Sequence, residues 1–176
     1  MNFSEISDTL ITHFGDLVLL HKAEVGDSWV EIPKDKLLEV GRFLKENPQL
    51  QLTYLNSVTA VDYLQTDPKK LKRTSWEPHI KVVYHLSSLF LKHTFVIKVT
   101  LPRWSDEEQN RLPSLPSVSS LWSTADWQER EVFDLYGVEF TGHPDMRRIL
   151  CPDDWAGHPL RKDYTPPQEY EGIRCH

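Results

Sequence analysis

The chain has 176 residues, 39% of them apolar and 26% charged, with a net charge of −6. That length gives one compact domain a sizeable core and is short for two. The acidic balance argues against nucleic acid as a main partner, because phosphate binding needs a surplus of Lys and Arg on one face.

No stretch is apolar for long. The run Leu17-Val18-Leu19-Leu20 falls far short of the roughly 20 residues a spanning helix needs. Glu5 and Asp8 stand where a secretory leader would carry Lys or Arg, so the sequence predicts a protein that stays in the compartment where it is made or enters another by a signal already removed. Its two cysteines, Cys151 and Cys175, form no CxxC pair, which excludes an iron–sulfur cluster or thiolate zinc site built by this chain alone. Reduced thiols are the plainer expectation, with a tail disulfide as the alternative. No glycine-rich phosphate loop is present, so no nucleotide cradle is expected.

In chain order, Phe3, Ile6, Leu10, Ile11 and Phe14 recur at helical spacing and Gly15 is placed to end the helix. A strand from Leu17 to Glu24, a Gly26-Asp27 turn and a short strand from Trp29 to Ile32 follow. Pro33 opens a second helix carrying Leu37, Leu38, Phe43 and Leu44, which Asn47-Pro48 stops. Gly41 inside it costs about 1 kcal/mol against Ala, which predicts a close backbone contact. From Leu52 the texture turns to strands: Leu52 to Tyr63, His79 to Leu86 and Thr94 to Leu101, the last two joined as a hairpin around Ser87-Ser88. The basic run Lys69-Lys70-Leu71-Lys72-Arg73 reads as a solvated loop. Residues 102–123, with prolines, serines and the acidic patch Asp106-Glu107-Glu108, read as loop with room for one helical turn. A last helix runs from Thr124 as N-cap to Tyr136, with Gly137 closing it.

The expected fold is α+β, with helices packed on one face of a mostly antiparallel sheet. It occupies residues 1–137, and residues 138–176 form an extended, proline-rich C-terminal arm. That arm keeps Phe140, Met146, Trp155, Tyr164 and Tyr170, which is not the composition of a free tail, and suits the surface of another protein.

The last helix does not segregate its charges. Glu129 and Glu131 point to nearly opposite sides, and Glu131 shares a face with Trp127 and Leu135. Such mixing means contacts on most sides, or merely i,i+4 pairs such as Arg130 with Asp134.

The run Glu129-Arg130-Glu131-Val132-Phe133-Asp134-Leu135-Tyr136-Gly137-Val138-Glu139-Phe140-Thr141-Gly142-His143-Pro144 resembles the signature of the C subunit of NADH–quinone oxidoreductase, respiratory complex I. The counterparts are the 30-kDa subunit of eukaryotes and the J subunit of plastids and cyanobacteria. The likeness continues through Arg147-Arg148-Ile149-Leu150, Pro152-Asp153-Asp154-Trp155 and Gly157-His158-Pro159-Leu160-Arg161-Lys162-Asp163-Tyr164, and begins upstream at Pro113. The resemblance implies a non-catalytic subunit of the hydrophilic arm, peripheral on the cytoplasmic side of the inner (plasma) membrane, or on the matrix or stroma side in an organelle. It implies neighbours in the D (quinone-site) subunit and the cluster-bearing B and I subunits, and contact with the membrane only through the complex. It implies no cofactor in this chain, with NAD, FMN, Fe–S clusters and quinone held elsewhere in the complex. Some relatives are fused to the quinone-site subunit; this chain looks like the separate form.

The expected interface residues are Trp127, Glu129, Arg130, Glu131, Asp134, Tyr136, Gly137, Gly142, His143, Arg147, Arg148, Trp155, His158, Arg161, Lys162, Asp163 and Tyr164. Their chemistry suits the role: the arginines hold carboxylates or carbonyls directionally, with Glu129, Glu131 and Asp134 as acceptors within the chain or across an interface. The aromatic rings supply broad contact area. Three rivals stand beside it. The first is an equivalent subunit of a related membrane-bound hydrogenase or other dehydrogenase complex. The second is a metal-dependent hydrolase using His143, Asp145, Asp153, Asp154 and His158. Both of those histidines sit in Gly-His-Pro turns without helical ligand spacing. The third, a glycosidase using Glu129 and Glu131, fails on geometry, since i,i+2 carboxyls on a helix diverge.

Overall fold

In the computed structural model, residues 1–15, 18–21, 28–106 and 111–174 are described. The described elements, in chain order, are α1 (Phe3–Phe14), β1 (Leu19–His21), β2 (Trp29–Glu31), a 3-10 turn (Lys34–Lys36) leading into α2 (Leu37–Glu46), β3 (Tyr54–Asp62) and α3 (Pro68–Leu71). Then come β4 (His79–Ser88), β5 (His93–Pro102), β6 (Ser114–Pro116), α4 (Ala125–Tyr136), β7 (Glu139–Thr141), β8 (Glu169–Tyr170) and β9 (Ile173–Arg174). The main sheet has the order β1-β2-β5-β4-β3 and is antiparallel except where β2 meets β5. This is the α+β arrangement the sequence predicts.

Period-two alternation gives the sheet its two faces. In register across the strands, Val58, Tyr84, Ile97 and Val30 line one face, as do Ala60, Val82 and Val99. These belong to the same buried cluster as Ile6 and Leu10 of α1 and Leu37, Val40 and Leu44 of α2. The opposite face carries Lys81, Lys98, Thr100 and Glu31, with Lys81 Nζ 2.8 Å from Glu31 and Lys98 Nζ 3.5 Å from the Trp29 ring centroid.

α1 starts in a capping box, the Asn2 side chain accepting from Glu5 N–H while the Glu5 carboxylate accepts from Asn2 N–H. In α2, a Cβ on Gly41 would stand 2.9 Å from Leu121 Cδ1 and 3.2 Å from the Trp122 ring, so the expected close approach is there and a larger residue would have to push these side chains aside. α4 covers the edge of β3, which would otherwise present unpaired backbone groups. Gln128 Oε1 accepts the Val58 N–H at 2.6 Å and the Thr124 hydroxyl donates to Leu55 O at 3.2 Å.

Several elements differ from the sequence reading. Thr124 is the N-cap residue of α4 as expected, but its helical backbone (φ −65°, ψ −18°) is not the extended one of a capping residue, and its side chain makes no cap hydrogen bond while its hydroxyl donates to Leu55 O. The β4–β5 hairpin does not turn at Ser87-Ser88; both serines are buried in the strand, and Leu89, Phe90 and Leu91 form the exposed turn. Part of the basic run is a short helix, α3, capped by the Asp67 side chain. Residues 114–116 and 139–141, read as loop and arm, pair in parallel as β6 and β7 on either side of α4. Of the strand expected from Leu17 to Glu24, Leu19–His21 is strand, and Leu17 and residues 22–24 lie outside the described residues. The Gly26-Asp27 turn, Glu107-Glu108 and Cys175 lie outside the described residues.

Candidate functional site: the clamp at the end of α4

The polar signature residues converge on α4 and the turns after it. α4 ends at Gly137, whose φ of +66° is left-handed and whose absent Cβ would lie 2.4 Å from His158 Cδ2. Backbone conformation and steric room both require glycine there. The imidazole seated on it places Nδ1 2.9 Å from Asp134 O. Burial first, and then the charges of Arg161 and Arg148, lower the His158 pKa, so the neutral ring donates Nδ1–H to that carbonyl.

Asp134 is the hub. Its side chain is fully buried, and Oδ2 accepts from the N–H groups of Ile149, Leu150 and Cys151 at 3.1, 2.7 and 2.9 Å. Oδ1 takes Arg148 Nη1 at 2.6 Å, while Arg148 Nη2 donates to Gly157 O. Burial pushes this carboxyl up, but the N–H groups of Cys151 and Leu150, the guanidinium and the Ile149 N–H outweigh it and hold its pKa at about 2. Successive N–H groups closing on one carboxylate make an anion nest filled by the chain's own side chain.

Glu129, one turn earlier, is equally buried but lacks a cation at hydrogen-bond distance among the described residues. Ser117 Oγ donates to it at 2.6 Å and Val118 N–H at 2.7 Å. Burial raises its pKa to about 7, against the pull of those two donors and with Asp126 adding to the rise. His143 lies beside it with Nε2 3.0 Å from Asp126 O and 4.0 Å from Glu129 Oε2, and its Nδ1 accepts the Asp145 N–H.

The arginines serve carbonyls as much as carboxylates. Arg130 does not pair with Asp134; it donates to Arg147 O and Arg148 O, lies 3.6 Å from Asp145 and stacks 5.0 Å above the Trp127 ring. Arg161 donates to Tyr136 O, Gly137 O and Arg103 O, capping the end of α4. Arg147 stays at the surface on Asp145. Lys162 contributes its backbone N–H to Asp62, and Trp155 donates Nε1–H to the Tyr164 hydroxyl at 3.0 Å. Asp163 receives Arg103 Nη2 at 2.6 Å. Glu131 and Gly142 are exposed, so they stand apart from this network.

Sequence reasoning missed Arg103 and Asp62, which form a bidentate pair with both bonds at 2.9 Å. A signal existed: Asp62 continues the inward series Val58, Ala60 of β3, and a carboxylate at a core position calls for a buried cation.

Catalytic alternatives find no support in these positions. His143 commits both ring nitrogens to backbone groups and His158 commits its Nδ1, and among the described residues no three His, Cys, Asp or Glu side chains gather as a metal-holding group. What the fold and site define is an α+β domain whose signature side chains lock a helix end to the chain that follows.

Comparison with known proteins agrees with the signature. Residues 30–170 match the family model described as respiratory-chain NADH dehydrogenase, 30 Kd subunit, and the chain belongs to that family. It is 41% identical over 138 residues to the C subunit of NADH-quinone oxidoreductase from Roseiflexus castenholzii, covering 78% of this chain and 70% of the relative. The C subunit from Chlorobium phaeobacteroides is 36% identical, covering 95% and 91%. The fold is also similar to a chain of the membrane-bound sulfane sulfur reductase, an archaeal respiratory membrane complex, with TM-score 0.67, 26% identity and coverage of 92% and 85%.

Proposed function

We propose that the chain is a non-catalytic structural subunit of the hydrophilic arm of an NADH–quinone oxidoreductase, holding the quinone-site and cluster-bearing subunits in fixed relation. Constant distances between those neighbours are what electron transfer from NADH to quinone requires of such a subunit. The carrying observation is the division of labour at α4. Its buried Asp134 and the half-buried Arg148 are committed to this chain's own backbone and side chains, while Trp127, Leu150 and Leu160 on and beside it are 67%, 62% and 47% exposed. Large apolar side chains on a rigid support suit a docking surface. The partners in this reading are the D (quinone-site) subunit and the cluster-bearing B and I subunits, on the cytoplasmic side of the membrane. The bound NAD, FMN, clusters and quinone belong to partner subunits. None of the described helices is long and apolar enough to cross a membrane; in this reading attachment runs through the complex.

A second reading has one observation in its favour. The likeness to the sulfane sulfur reductase chain shows the same fold at work in another respiratory complex. Purifying the tagged chain from its native membranes separates the two. Recovery with flavin- and cluster-bearing subunits and NADH–quinone activity supports the first reading; recovery with a nickel–iron or sulfur-reducing subunit supports the second. Recovery of the chain alone contradicts both.

A further inference from the structure

Arg161 is 6% exposed, yet only part of its guanidinium is served. Nε donates to Tyr136 O at 2.7 Å, and Nη2 to Gly137 O and Arg103 O, each at 3.1 Å. Nη1 is shielded from solvent and meets no acceptor among the described residues. A buried donor left in this state is costly, and a buried cation without a bonded carboxylate more so.

The neighbouring carboxylates are already engaged. Asp62 accepts both bonds of Arg103 and the Lys162 N–H, and Asp163 accepts Arg103 Nη2. Burial, followed by the charge of Arg103, lowers the pKa of Arg161 despite the opposing pull of Asp163 and Asp62, as expected of a cation short of counter-charge. Beside the guanidinium is a pocket of about 360 Å³, bounded by Trp104, Ala156, His158, Arg161, Asp163 and Tyr164. The Trp104 ring covers the cation, its centroid 4.0 Å from Arg161 Cζ. A socket of this size, aromatic on two sides with a cation at its base, fits one side chain rather than a nucleotide or flavin.

We propose that this pocket receives an Asp or Glu side chain from an adjacent subunit, whose carboxylate completes Arg161. The proposal rests on the reading of the chain as a subunit, and it names the chemistry of the contact. A carboxylate is favoured over a carbonyl because a charge-assisted pair supplies both the acceptor and the missing counter-charge. Since Nη1 is shielded from solvent, the side chains around it shift as the carboxylate enters.

Ala156 is exposed on the pocket wall and takes no part in the clamp's side-chain bonds, so it can be altered without touching Arg161. The test uses complex purified through a tag on a different subunit. A156W fills the socket, and its recovery in the complex should fall at least tenfold, with A156S recovered as wild type and isolated A156W unfolding at the wild-type temperature. In parallel, A156K complex is treated with a carbodiimide, which joins the introduced amine to a carboxylate in contact. The expected product is an amide to an Asp or Glu of another subunit, located by mass spectrometry. Coupling to Asp163 of the same chain alone, or normal recovery of A156W, would overturn the proposal while leaving the subunit reading intact. If wild-type chain itself fails to copurify, the subunit reading falls, and the socket proposal with it.

Discussion

Ile80, Val82, Val99 and Leu101 in the sheet are at most 1% exposed and sit in one apolar cluster, whereas Asp134 at the end of α4 is just as buried and ringed by donors. Apolar packing is non-directional and adapts to swaps of similar volume. The α4 clamp is directional: every donor has one place to go, and losing an acceptor leaves buried charge behind. The two regions should therefore respond differently to mutation and to pH.

The largest expected effect is at the hub. Asp134→Ala leaves the Arg148 guanidinium and three N–H groups without their acceptor and should cost about 3–5 kcal/mol, the usual penalty for breaking a buried ion pair. Denaturant unfolding of the isolated chain measures it. A loss below about 1 kcal/mol would place the clamp's contribution at that of a surface pair.

Next in size is the pH dependence, where two carboxyls of α4 act in opposite senses. Glu129 binds its proton more tightly folded, at about 7 against 4.5. Its stabilising share is full below pH 4.5 and is lost as pH rises through 7, on the order of 3 kcal/mol. Asp134 binds its proton more weakly folded, at about 2 against 3.8. Its share is present above pH 3.8 and is lost as pH falls toward 2, on the order of 2 kcal/mol. Unfolding midpoints measured from pH 3 to 9 should show Glu129→Gln flattening the decline between pH 5 and 8 and leaving the acid limb in place. An unchanged decline would mean that Glu129 is not its source.

The smallest effect belongs to the sheet. Ile97→Val, which trims one methylene from a residue 1% exposed, should cost about 0.5–1.5 kcal/mol with no change in the pH profile. A cost equal to that of Asp134→Ala would erase the contrast between the two regions.

The same contrast explains what was legible in the sequence. Alternation placed β3, β4 and β5 within two residues at each end, because a half-buried strand writes its period into its side chains. Asn47-Pro48 and Gly137 marked helix ends for local reasons. The hairpin turn was misplaced because Leu89-Phe90-Leu91 is an apolar turn at 66%, 78% and 40% exposure, the reverse of the usual chemistry. β6 and β7 span three residues each, too short for a period to show. At the clamp, resemblance named most of the residues that the structure brings together, but not their partners. That Asp134 would take three backbone N–H groups from residues 149–151, and that Arg103 would hold Asp62 across 41 positions, are facts of tertiary approach. Spacing marks Asp62 as a core carboxylate in need of a cation, but it names neither Arg103 nor the three N–H groups.

The most direct test of the clamp is a double-mutant cycle between Asp134 and Arg148, read as unfolding free energy for wild type, Asp134→Ala, Arg148→Ala and the pair. Their 2.6 Å contact is the shortest link between α4 and the chain that follows among the bonds to Asp134. If it locks the helix end as described, the two losses will overlap, with a coupling of about 1.5–3 kcal/mol. Losses that add to within about 0.5 kcal/mol would show two independent residues and contradict the clamp.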